Sequence, residues 1–208
     1  MNKLAQIANR FSSAFILGAV AFAWPAGCSV KVSHFEIVDH RSDGGERKYH
    51  ETFPDACYTI WPDGNTDIVL SRTQPSQADP SRNIRQIIHL RTIWRSIPGT
   101  TVAEKSQINA RVSYMIVMDN TGATFEGAGS VFFKEDKKKH VIQGSLELAL
   151  LRPTRRLPGG GAFFEHAEIQ GVFKAVRDRR RLVRTINNMD RLFGPVPGFQ
   201  KNIPASMP

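Results

Sequence analysis

The chain has 208 residues and a formal charge of +9. At 41% hydrophobic and 23% charged it has the balance of a folded domain, which excludes a disordered chain. Its length suffices for one domain with its own core, and the basic excess points to an anionic partner.

Taken in chain order, Lys3 and Arg10 come first, in a stretch with no acid. An apolar run from Phe11 to Trp24 follows, interrupted by Ser12, Ser13 and Gly18, and then Pro25-Ala26-Gly27-Cys28-Ser29. A positive start, a short apolar core and a small-residue exit make up an export signal. The run falls short of the roughly 20 residues that a membrane-spanning helix needs.

The Ala26-Gly27-Cys28 ending resembles the lipobox of bacterial lipoproteins, with Pro25 where that family usually has an aliphatic residue. The resemblance covers the signal alone. It implies that residues 1–27 are removed, that Cys28 is lipidated as the mature N-terminus, and that the protein sits in a bacterial envelope. Ser29 implies the outer membrane, facing the periplasm. Two alternatives stay open: cleavage by ordinary signal peptidase at Ala21-Phe22-Ala23, giving a secreted or periplasmic protein, and an uncleaved N-terminal helix. Export argues against nucleic acid as the partner of a basic chain. Lipid headgroups, lipopolysaccharide, a cell-wall polymer or an envelope protein remain. If Cys28 is lipidated, Cys57 is alone and expected to be a small buried residue; otherwise the two can pair in an oxidising compartment. No Cys or His lies near Cys57 at ligand spacing, so no metal site and no cofactor are expected.

Residues 28–194 read as a single β-rich domain. His34 to Val38 is a first strand, and Asp43-Gly44-Gly45 a turn. Cys57 to Trp61 and Asp67 to Leu70 flank Pro62-Asp63-Gly64-Asn65, the clearest hairpin. Gln74 to Ser81, with two prolines, is expected to be a loop. Ile84 to Trp94 and Ile108 to Met118 are strands, the second strictly alternating. Asp119 to Gly122 turns the chain into a strand from Ala123 to Lys134. The charged turn Asp136 to Lys139 leads into His140 to Leu150. Arg152 to Gly161 is expected to be a loop, and Phe163 to Val176 the last strand. Gly127, Gly129, Gly144 and Gly171 fall inside strands, where glycine marks bulges or bends.

A helix over 178–193 closes the domain. Asp178 caps it, Gly194 and Pro195 end it, and Leu182, Ile186, Met189 and Phe193 form one apolar stripe. Residues 195–208 form an irregular, proline-rich tail. The expected fold is all-β: an antiparallel sandwich or meandering barrel of eight or nine strands with one C-terminal helix.

Catalytic signatures are absent. There is no Gly-x-Ser-x-Gly elbow and no His-Glu-x-x-His. His34, His40, His50, His89, His140 and His166 are spread one per segment and read as surface or half-buried. Glu147 and Glu168 read as solvent-facing strand acids rather than a glycosidase pair. Gly159-Gly160-Gly161 lacks the Lys-Ser/Thr of a phosphate loop. Lys137-Lys138-Lys139 is expected to be an exposed hairpin tip without a role. The aromatic residues Trp61, Trp94, Tyr114, Phe132 and Phe133 are expected in the core.

The arginines are the functional lead, because guanidinium favours bidentate contact with phosphate or carboxylate. Arg152, Arg155 and Arg156 form one group. Arg177, Arg180 and Arg184, with Arg179 and Arg181 between them, form another. An extended strand between the two holds them roughly 45 Å apart, at about 3.3 Å per residue. The expected role is therefore non-catalytic binding or scaffolding towards an anionic surface or polymer. The alternatives are a carrier of small apolar ligands in a barrel pocket and a glycan or ester hydrolase.

Overall fold

The computed structural model describes residues 32–41, 44–76, 79–93, 108–158 and 164–194. The signal, Cys28, Trp94, Gly159 to Gly161 and the tail lie outside these. Nine strands precede one helix: β1 Ser33–His40, β2 Glu46–Phe53, β3 Asp55–Ile60, β4 Thr66–Pro75, β5 Asn83–Thr92, β6 Ala110–Met118, β7 Thr121–Asp136, β8 Val141–Arg156, β9 His166–Arg177 and α1 Arg179–Phe193. The order in the sheet is β2-β1-β9-β3-β4-β5-β6-β7-β8, and β8 pairs back onto β9. Seven strands therefore close into a barrel, and β1 and β2 extend from it. The fold is all-β, as expected, and of the two architectures it is the barrel.

Alternation along each strand decides what faces inward. Ile68, Leu70, Ile88, Leu90, Val112, Tyr114 and Ile116 fill the interior with Phe53, Tyr58, Phe125 and Phe173. The opposite parity is also buried where α1 lies over the wall. Cys57, Val69, Ile87 and Met115 pack there against Leu182, Met189 and Phe193. This second layer is why β5 and β6 are buried on both faces. Trp61 belongs to it, and Phe132 and Phe133 are only half-buried.

The helix matches its expected limits. The Asp178 carboxylate accepts from the backbone N–H of Arg181 at 2.9 Å, and Gly194 ends the helix at φ 76°.

Three expectations are corrected. β2 forms from Glu46–Phe53, where no strand was read. β4 runs on through Pro75 into the segment read as a loop. The chain from Arg152 to Arg156 is strand, because β8 continues along β7 across a register shift between Thr124 and Phe125. The bulge accommodates Pro153.

The strand glycines sit where a partner strand's backbone comes close, and a bulge lies beside one of them. The register shifts once beside Gly129, between Gly129 and Val131. A Cβ on Gly144 would overlap the carbonyl oxygen of Phe132, and one on Gly171 that of His34. The open edge is β2, whose inward-facing Glu51 pairs with Arg72 of β4 and accepts from Gln86 of β5 at 3.4 Å. Side chains thus tie the free edge of β2 to the barrel wall.

Candidate functional site

One end of the barrel gathers lysines. Asp136 organises the β7–β8 turn by accepting from the backbone N–H groups of Lys138 and Lys139, at 3.1 and 3.2 Å. His140 takes a left-handed conformation, φ 53°, to bring the chain back. Register then sets Lys134 beside Gln143 and Gln143 beside Lys174, one row on the outward face. Val141 and Val176 pair in the next row. The result is a groove of about 630 Å³ lined by Lys134, Lys137, Lys138, Lys139, Lys174 and their neighbours.

Two acids, Glu135 and Asp136, also line it. Glu135 turns towards Tyr58, whose hydroxyl donates to it at 2.9 Å. Burial, then that carboxylate, pushes the Tyr58 phenol well up. Asp136 holds the turn and pairs with Lys139 at 3.7 Å. Five lysines against these two acids leave the groove with a positive excess. Arg177 joins them, because its backbone N–H donates to His140 O at 2.9 Å.

The arginines do not form one patch. Arg177, Arg180 and Arg184 are exposed, and Arg177 belongs to the lysine-rich end. Arg152, Arg155 and Arg156 lie at the other end of β8 from Val141. Arg155 donates from Nη1 to Phe193 O, at the C-terminus of α1. A helix of 15 residues spans about 22 Å, so the two groups flank α1 rather than lying 45 Å apart as an extended strand would hold them. Arg181 is bound to Asp55 at 2.7 Å, and Arg179 stacks over Trp61, 5.0 Å from the ring centroid.

Five histidines are exposed or half-buried as expected, and His89 is not. It is 2% exposed and shares a 3.0 Å hydrogen bond between its Nε2 and Asp67 Oδ1. Trp61 Nε1 donates to Asp67 Oδ2 at 2.5 Å. Burial pushes the Asp67 carboxyl up, but the His89 bond and charge, Arg91 and the Trp61 bond outweigh it and hold the group below its ordinary range. Ser113 pairs with His89 in the β5–β6 register, and its Oγ is buried without a hydrogen-bond partner. The residue types are those of a hydrolytic triad, but His89 and Ser113 at 2% and 0% exposure present nothing to a substrate.

Further acids lie on β1, β2, β8 and β9. His40 lies 3.3 Å from both Glu46 and Glu168, and Glu147 accepts from Ser145 at 3.2 Å. Among the described residues no group of three or more His, Cys, Asp and Glu is placed to hold a metal. The chain matches no family model, no curated protein and no solved structure.

Proposed function

We propose that this is an exported protein, anchored by lipid on Cys28 at the bacterial outer membrane and facing the periplasm, that binds an anionic surface or polymer without catalysis. The observation that carries the reading is the gathering of Lys134, Lys137, Lys138, Lys139, Lys174 and Arg177 at one end of the barrel. The partner is therefore assigned to the lysines more than to the arginine groups that the sequence favours. A carrier is a weaker reading, because Phe53, Tyr58, Tyr114, Phe125 and Phe173 fill the interior at 1% exposure or less. A hydrolase is weaker still, since the pair best suited to it is enclosed.

The test is retention on an immobilised polyanion across a salt gradient. Lysine near an anionic surface contributes about 1 kcal/mol each. The triple variant K134E/K138E/K174E is expected to bind about a hundredfold more weakly at low salt. Wild-type retention that ignores both salt and the charge reversal would sink the proposal.

A further inference from the structure

We infer that the lysine-lined end of the barrel lies against the bilayer that holds the anchor, and that its ligand is the anionic phospholipid headgroup. This rests on the reading of Cys28 as lipidated. Ser33 opens β1 directly beside the groove. The Lys174 backbone N–H donates to Ser33 Oγ at 3.1 Å, and that hydroxyl lies 3.5 Å from Lys174 O. Cys28 is five residues before Ser33, and so many residues span at most about 18 Å. Gln143 and Lys134 lie one and two strands from Lys174, or about 5 and 10 Å. A lipid on Cys28 therefore tethers this end of the barrel within a few lysine lengths of the membrane.

One feature of the surface agrees. Val176, 47% exposed, and half-buried Val141 form an apolar pair between the Lys134–Gln143–Lys174 row and the Lys137–Lys139 turn. Apolar area bracketed by lysines suits the boundary between headgroups and acyl chains, where lysine stems lie along the apolar layer. The far end of β1, at His40, lies about 23 Å from Ser33 at the strand rise.

The test reconstitutes the membrane-extracted, lipidated protein into phosphatidylcholine vesicles with and without phosphatidylglycerol. A fluorophore is placed at K137C or, at the opposite end, at R47C, and quenching by a headgroup-attached spin label is compared. The expected result is severalfold stronger quenching at 137 than at 47 with phosphatidylglycerol present. The difference should shrink in high salt and in K134E/K138E/K174E. Equal quenching at both positions in protein whose Cys28 carries lipid overturns the inference and leaves the anchor standing. So does quenching stronger at 47. Protein whose N-terminal peptide carries no lipid, and which fails to float with vesicles, removes the reading beneath it. Retention on the immobilised polyanion together with equal quenching would assign the groove to a polymer instead.

Discussion

Trp61 and His89 converge on the two oxygens of Asp67, the indole N–H at 2.5 Å on Oδ2 and the imidazole Nε2 at 3.0 Å on Oδ1. The carboxylate is buried between strands β4 and β5 and the end of β3, beside the layer that seats α1. Its folded pKa lies below the ordinary 3.8. Such a group adds stability that is present above its unfolded value and lost as pH falls through the folded one. Asp67→Asn is expected to cost about 3–5 kcal/mol near neutrality, since the partners stay buried without their charge. It should also flatten the loss of stability below about pH 4. Urea unfolding at pH 7 and pH 3 measures both effects. An unchanged acid limb in the variant would remove Asp67 from this role.

Cys57 is 2% exposed beneath α1. Burial, opposed by the charge of Arg181 and joined by those of Asp178 and Asp55, pushes its thiol up to about 11. The thiolate is the reactive species. In the folded protein at pH 8, Cys57 is expected to react with a disulfide reagent at least about a hundredfold more slowly than in denaturant. Rapid labelling of the native protein would mean that α1 leaves the wall readily.

Arg155 closes the C-terminal end of α1. Its bond to Phe193 O places a cation at the negative end of α1, which contributes about 1–2 kcal/mol. Arg155→Ala is expected to lose that much stability while leaving polyanion retention unchanged. A variant of full stability that no longer binds would restore Arg155 to the anion site.

Much of the fold is legible in the sequence because barrel strands must alternate and turns have their own chemistry. Gly64 at φ 83° and the Trp61 N–H donating to Asn65 O at 2.9 Å are the turn that Pro62 to Asn65 announces. The helix is equally legible, since its cap, stripe and stop fall in register. β2 escapes because it is a free edge rich in charge, with only Tyr49, Glu51 and Phe53 turned inward, and charge on an edge is what keeps it from pairing with other chains. The end of β8 escapes because Pro153 among arginines reads as loop until a bulge receives it. The functional groups are legible only as residue types. Lys137 to Lys139 stand out in the chain, but Lys134 and Lys174 join them through register alone. Asp67 and His89, 22 residues apart, meet only when β4 pairs with β5.

The membrane account turns on one atom, the sulfur of Cys28, and the mass of the N-terminal peptide from the membrane fraction of an expressing bacterium tests it most directly. A peptide beginning at Cys28 and carrying a diacyl- or triacylglyceryl group is the expected result. A peptide beginning at Trp24 without lipid, found in the soluble fraction, would contradict it and leave a freely diffusing domain.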